Sequence, residues 1–198
     1  MIRWLAMAGL CVAATVQAEE PWRAVRRDGA LSVESRPAGA GGYLEFRVIT
    51  HSAAPPLALA DAVWRWNAQG VEGRMVEQRL VLSEAPREKL VWQLLHPPVV
   101  ERREALVRFR RDDASDAVHI AYESEAGPTP LGQRAQPAVR VTVRGSWRFE
   151  VEGAGSTRVE HRCLSDPGGG LPSWLVKGAQ EDMAVALVRE AVQRAEGR

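Results

Sequence analysis

The stretch SDPGGGLPSWLVKG, at residues 165–178, joins a turn signal to the start of a helical pattern. Proline keeps the residue before it extended, glycine accepts positive φ, and proline suits the first turn of a helix. Asp166 has no acid–base partner near it in the sequence, and the three glycines lack the lysine and hydroxyl of a phosphate-binding loop. We therefore interpret the stretch as a hinge that redirects the chain.

The residues after the hinge have the periodicity of an amphipathic helix. Apolar side chains recur every four residues, which predicts one long helix from about Leu171 to Ala195. The predicted stripe comprises Leu171, Leu175, Ala179, Met183, Leu187 and Ala191, with Trp174, Val176, Val188 and Val192 beside it. Trp174 and Leu175 are expected to anchor this helix. A shorter helix is predicted at residues 55–66, which begin with proline.

The residues before the hinge alternate between apolar and polar side chains, the pattern of a half-buried strand. At residues 139–151, valine, glycine, tryptophan and phenylalanine share one face, while arginine, threonine, serine and glutamate share the other. A turn at 152–156 leads into a second alternating run at 157–164, so the two runs predict an antiparallel hairpin. Less regular runs at residues 74–82, 89–96, 105–111 and 117–124 extend this to a meandering antiparallel sheet.

These elements predict a single α+β domain over residues 19–198. An apolar sheet face needs a cover, and the long C-terminal helix is the candidate for it. The expected architecture is a curved antiparallel sheet wrapped around that helix, which can leave a cavity between them. The loop at residues 124–138, with three prolines and two glycines, is either an Ω-type loop over a pocket mouth or a plain surface loop.

Residues 1–18 have the composition of a secretory signal peptide. One arginine near the start precedes an apolar run, and small residues precede an expected cleavage site after Ala18. The apolar run, from Trp4 to Val16, is too short to span a bilayer. We therefore expect an exported protein that is periplasmic or secreted.

Charge and cysteine content narrow the expected function. Without residues 1–18 the chain has 25 basic and 25 acidic residues, which gives no indication of nucleic acid binding. Cys163 is then the one remaining cysteine, so neither an intrachain disulfide nor a thiolate metal cluster is expected. The histidines are scattered without metal-ligand spacing, and we expect no metal and no cofactor.

The hinge resembles the DPGG-x-[IL]-P-x-W signature that precedes the last helix of START domains, the steroidogenic-acute-regulatory-related lipid transfer modules. The matching residues are Asp166-Pro167-Gly168-Gly169, Leu171-Pro172 and Trp174-Leu175. Weaker resemblances follow in order: Trp66-Asn67-Ala68-Gln69 with Glu72, residues 97–107, and Val139-Arg140 with Trp147. The similarity spans about Trp22 to Ala195. Arg103-Glu104 stands where the family has Arg-Asp, and the chain is short for the family, which leaves the size of the ligand open.

The resemblance implies a helix-grip fold with a hydrophobic tunnel that binds one lipid or similar apolar molecule, with a transient membrane contact as a further possibility. The alternation independently predicts that the inward side chains of residues 139–151 face the apolar stripe of the helix. These side chains could also fill the space between sheet and helix themselves and leave no cavity. The expected ligand contacts are Glu72, Arg103, Val107, Trp147, Phe149, His161, Leu175, Ala179, Met183 and Leu187.

Arg103 and His161 are the notable polar members of this set. Arg103 shares its phase with inward apolar residues, and in the resembling family the matching arginine pairs with an acid like Glu72. Such a pair would either orient the polar head of a ligand, or the two charges would only neutralise each other. The remaining alternative is that Arg103 is exposed. His161 lies beside Cys163 on the inward phase. Since no third orienting group is identifiable, we expect a hydrogen-bonded core histidine or a polar ligand contact, and not a nucleophilic pair.

Three functions from different classes therefore remain. Non-catalytic binding of an apolar ligand is the first. The wider helix-grip superfamily also includes cyclases and hydrolases, so an enzyme is the second, and a filled protein-interaction domain is the third. On the outward phase, Arg140, Arg144, Arg148, Arg158 and Arg162 alternate with Glu150 and Glu160. This favours a solvated salt-bridge network over a membrane-docking surface.

Overall fold

The structure is a computed structural model that describes residues 20–38, 42–65, 76–97, 100–130, 138–153 and 155–197. The predicted signal peptide, residues 1–18, and the segment that contains Glu72 lie outside these residues. The described elements are, in chain order, β1 (Arg23–Asp28), β2 (Leu31–Pro37), β3 (Leu44–Ser52), α1 (Pro56–Trp64), β4 (Val76–Ala85), β5 (Glu88–Leu95), β6 (Arg103–Asp113), β7 (Ala117–Ser124), β8 (Val139–Arg140), β9 (Thr142–Val151), β10 (Thr157–Asp166) and α2 (Ser173–Ala195).

The strands form one open sheet in the order β1-β2-β3-β10-β9-β7-β6-β5-β4, with every pair on this path antiparallel. The predicted hairpin is confirmed as β9 and β10, in which Trp147 pairs with His161 and Phe149 with Val159. The predicted single run at 139–151 is divided, however, at Val141. Its first two residues form β8, which pairs in parallel with the start of β6, and the amide of Val141 donates to the carbonyl of Glu104.

Both helices pack on one face of the sheet, which we call the inner face. They contact each other and the strands β3, β7, β9 and β10. The main core lies there, and its large side chains include Phe46, Leu59, Ile120, Trp147 and Phe149. The sheet therefore presents alternate residues to the helices, as the strand pattern predicted.

The loop after β7 lies on the opposite, outer face at both of its described ends. Ala138 packs against a small cluster of Trp92, Leu94 and Leu106, which have the phase opposite to that of the inner residues. Gly127 also lies beside Leu106. The described ends therefore fit a surface loop and not a cover over the helix side.

Helix α2 begins two residues later than predicted, and the predicted stripe is buried only in its C-terminal part, at Val188 and Ala191. The buried residues of α2 are Ala184, Val185, Val188 and Ala191, whereas Leu175 is 53% exposed and Trp174 is 76% exposed. The expectation that Trp174 and Leu175 anchor the helix, and that Leu175 and Ala179 face the sheet, is wrong. An α-helix turns 100° per residue, so a row of every fourth residue drifts by about 40° per step and by about 160° from Leu175 to Ala191. The N-terminal half of that row therefore points away from the face on which Ala191 packs.

No helix among the described residues is long and apolar enough to cross a membrane.

Candidate ligand-binding site

The inner face of β6 has positive charge at both ends and apolar side chains between them. This inner row of β6 consists of Arg103, Ala105, Val107, Phe109 and Arg111. It spans about 26 Å, because a strand rises about 3.3 Å per residue. Ala105 and Val107 are buried together with Val141. The row thus forms an apolar strip with a defined polar group at each end.

Arg103 holds the hinge at one end of this row. It is 4% exposed, and its Nε donates to the carbonyl of Pro167 at 3.2 Å, while Nη1 donates to the carbonyl of Glu101. The inward orientation of Arg103 is confirmed, and the exposed alternative is wrong. Pairing with Glu72 stays a prediction, because Glu72 lies outside the described residues.

The hinge has the conformation that its residues predicted. The carboxylate of Asp166 accepts a hydrogen bond from the amide of Gly168 at 2.8 Å, which forms an Asx-type turn. Gly168, Gly169 and Gly170 follow with φ of 68°, 67° and 68°, a region that only glycine adopts without strain. The Tyr43 hydroxyl donates to the carbonyl of Leu171 at 2.9 Å. Asp166 therefore acts as a turn residue that sets the direction of α2.

His161 is the polar group at the centre of the inner face. It is 1% exposed and stacks on Trp147 with ring centroids 4.0 Å apart and planes at 17°. Its Nε2 lies 2.9 Å from the Tyr122 hydroxyl, and its Nδ1 is buried without a hydrogen-bond partner among the described residues. Burial lowers the pKa of His161 to about 3, so the ring is neutral at physiological pH.

A neutral imidazole has one donor and one acceptor nitrogen. The Tyr122 hydroxyl lies 3.3 Å from the carbonyl of Arg162 as well as near the ring. If Tyr122 donates to the ring, Nδ1 carries the proton; if it donates to the carbonyl, Nδ1 presents a lone pair. In both tautomers Nδ1 remains available to one further polar group, and a hydroxyl can satisfy either form.

Cys163 lies on the same face of β10 but does not form a nucleophilic pair with His161. Burial raises the pKa of the Cys163 thiol to about 12, so the thiolate that would attack a substrate is not populated near neutral pH. His161 is a poor general base, because burial lowers its pKa and the imidazole then binds a proton only weakly. This agrees with the expectation of a core or ligand-contacting histidine. Within the described ranges, no group of three His, Cys, Asp or Glu residues could hold a metal ion.

Lys89 and Arg111 lie at the other end of the inner row. Arg111 pairs with Asp61 of α1 and Asp113, both at 2.7 Å. Lys89 lies on the inner face of β5, opposite Phe109, and its Nζ is 4.7 Å from the centre of the Trp64 ring. The sequence-based prediction missed Lys89; the available signal was its phase, which it shares with Val91 in the run at 89–96.

The remaining predicted contacts are distributed unevenly. Trp147 and Phe149 stack with centroids 6.0 Å apart inside the helix-covered core, so they help to fill that space, while Val107 lies in the inner row of β6. Met183 and Leu187 are half-buried. As ligand contacts, all of these stay predictions.

The outer face carries the predicted network of ion pairs. Glu160 accepts hydrogen bonds from Arg158 and Arg162, each at 2.6 Å, and Arg148 pairs with Glu150. A groove of about 410 Å³ crosses this face. It is lined by Arg36, Glu45, Arg108, Arg110, Glu123, Arg144 and Arg162, among others. Since most of these arginines already pair with glutamates, the network favours the solvated interpretation.

An open antiparallel sheet with a C-terminal helix on its inner face, entered through a glycine hinge, defines a START-like helix-grip fold. Comparison with solved structures bears this out. The chain is similar to the STAR-related lipid transfer protein of Xanthomonas axonopodis, with a TM-score of 0.73 and 20% identity over 88% of this chain and 98% of that one. It is also similar to the Zhui aromatase/cyclase of Streptomyces, with a TM-score of 0.55 and 18% identity over 77% and 93% of the two chains.

Sequence comparison adds one relative. An uncharacterized protein of Pseudomonas aeruginosa is 22% identical over 200 residues, which cover 98% of this chain and 96% of that protein. No protein-family model matches the chain. The likenesses thus define the fold, and function has to be argued from the site.

Proposed function

We propose that this protein binds a lipid or another apolar molecule between the inner face of its sheet and its helices. The inner row of β6 carries the proposal, because an apolar strip with a polar group at each end matches a molecule with a long apolar part. Ala105 and Val107 supply the apolar contact, and each methylene that leaves water contributes about 0.8 kcal/mol. Two features support a bound ligand with a polar group: the START-like fold, and Nδ1 of His161, which has no hydrogen-bond partner in the part of the chain that the structure describes.

We further propose that the protein is exported and carries its ligand outside the cytoplasm. The support is the composition of residues 1–18, with one arginine, an apolar run and small residues before position 19. Cell fractionation, together with the intact mass of the exported chain, tests this. An intact mass that retains residues 1–18, or protein found with the cytoplasmic fraction, would contradict export.

An enzyme is the second candidate, because an aromatase/cyclase has the same fold. Proton transfer would need ionisable groups with matched pKa values inside the site. His161 is neutral with a pKa of about 3, and Arg103 is bound to backbone carbonyls. We therefore favour non-catalytic ligand binding over an enzymatic function. Turnover of a substrate that disappears in His161→Phe would reverse this order.

Native mass spectrometry and organic extraction of the purified full chain provide the direct test. We expect a copurified apolar molecule, and competition by lipids for a bound fluorescent lipid analogue. Val107→Trp fills the inner row and should weaken binding, whereas Leu80→Trp, on the outer face of the edge strand β4, should not. Circular dichroism and the unfolding midpoint verify that both variants fold. If no lipid is extracted and none competes for the analogue, the proposal is wrong.

A further inference from the structure

Lysine is rare in this chain, and one of its two lysines is buried. The sequence has 26 lysine and arginine residues, of which only Lys89 and Lys177 are lysines. Lys177 is exposed on α2, whereas Lys89 is 8% exposed on the inner face of β5. A buried ammonium loses several kcal/mol of solvation, which only good partners repay.

The described partners of Lys89 compensate this charge only in part. Nζ donates to the carbonyl of Trp64, the last residue of α1, where the helix end has partial negative charge. Nζ also faces the rings of Trp64 and Phe109, at 4.7 and 5.6 Å from their centres, in cation–π geometry. An ammonium has three donors, and the ion pairs of the described residues include none with Lys89.

Among the residues that the structure describes, the charged groups around Lys89 do not supply a carboxylate partner. On β4, Glu84 is the cross-strand neighbour of Lys89, and it is exposed. On α1, Asp61 is bound by Arg111. Arg79 and Arg111 have the same sign as Lys89. Burial lowers the pKa of Lys89, Glu84 raises it, and Arg79 lowers it further.

We propose that Lys89 is the counter-ion for the carboxylate of a long-chain carboxylic acid, whose tail lies along the inner row of β6 toward Arg103. The inference rests on the proposed function and assigns the head group of the ligand. A monoanion fits, because Arg111 is already neutralised by Asp61 and Asp113, and Lys89 has a single charge with no carboxylate partner among the described residues. The rings of Trp64 and Phe109 would flank the first carbons of the tail.

Three ligands with the same tail separate charge recognition from apolar binding. These are hexadecanoic acid, hexadecanol and methyl hexadecanoate, each measured by displacement of a fluorescent lipid analogue from the delipidated full chain at pH 7.5. We expect the acid to bind about tenfold or more tightly than the two neutral ligands, as for a close desolvated charge pair. Lys89→Met should reduce the ratio to about one, and Lys177→Met, the exposed control, should leave it unchanged.

The outcomes distinguish this inference from the proposed function. If acid and alcohol bind equally well to the wild type, or if Lys89→Met keeps the preference, Lys89 is not the counter-ion while apolar binding stands. If none of the three ligands binds, the proposed function fails as well.

A measurement on the wild type avoids dependence on the folding of Lys89→Met. Incorporation of 13Cε-labelled lysine gives two lysine NMR signals, which Lys177→Arg assigns. Hexadecanoic acid should raise the pH at which the Lys89 signal titrates, and hexadecanol should not. The Lys177 signal should respond to neither. A Lys89 signal that is indifferent to the acid, or that responds equally to the alcohol, would overturn the inference.

Discussion

Acidification should destabilise this fold through His161. Burial lowers the folded-state pKa of this imidazole from 6.5 to about 3, so between these two values the unfolded chain binds the extra proton. The stability that neutral His161 contributes is therefore complete above pH 6.5 and is lost as the pH falls toward 3. At pH 4.5, two units below the unfolded value and at about 1.4 kcal/mol per unit, the loss amounts to about 3 kcal/mol.

Urea unfolding at pH 7.5 and pH 4.5 measures this loss, with His161→Phe as the reference. Phenylalanine keeps an aromatic ring on Trp147 and removes the titration, so the groups common to both chains cancel in the comparison. We expect the wild type to lose about 2 to 3 kcal/mol more than His161→Phe between the two pH values. His96→Gln, a change at an exposed histidine, should behave as the wild type. Equal pH dependence of the wild type and His161→Phe, or a His161 resonance that titrates near 6.5, would refute the reasoning.

Two further predictions test the packing by urea unfolding. A Cβ at position 145 would overlap the carbonyl oxygen of Arg162, while one at position 178 of α2 meets open space. Gly145→Ala should therefore cost about 3 kcal/mol as overpacking, and Gly178→Ala should stabilise the helix by up to about 1 kcal/mol; equal effects would contradict the register. Trp147→Ala should cost about 3 to 5 kcal/mol, but Trp174→Ala should stay within about 0.5 kcal/mol. A large loss at position 174 would contradict the exposed start of α2.

The features that were correctly predicted depend on neighbouring residues. The hairpin of β9 and β10 follows from period-two alternation and one turn, so the sequence alone places Trp147 and His161 on the same face, where they pair. The hinge follows from the chemistry of Asp166 and the glycines after it, and its hydrogen bond to Gly168 spans two residues. Such signals need no knowledge of the tertiary fold.

The features that were missed depend on distant contacts. Spacing by four residues describes a helix stripe only over short lengths, and the buried side of α2 is selected by α1 and β3, far away in the sequence. Leu175 was therefore placed on the wrong side. The division at Val141 likewise depends on the carbonyl of Glu104, and the burial of Lys89 depends on the end of α1.

The two cationic ends of the inner row of β6 are not equivalent, and this asymmetry gives the proposed ligand a direction. At the hinge end, Arg103 is bound to the carbonyls of Pro167 and Glu101, so its hydrogen-bonding capacity holds the backbone from which α2 starts. At the other end, the carboxylates of Asp61 and Asp113 bind Arg111, and the ammonium of Lys89 contacts one carbonyl and two rings of the described residues. In the proposed complex, an anionic head group therefore gains more binding free energy beside Lys89 than beside Arg103. Loss of Arg103 should disturb the start of α2 before it alters the choice of head group.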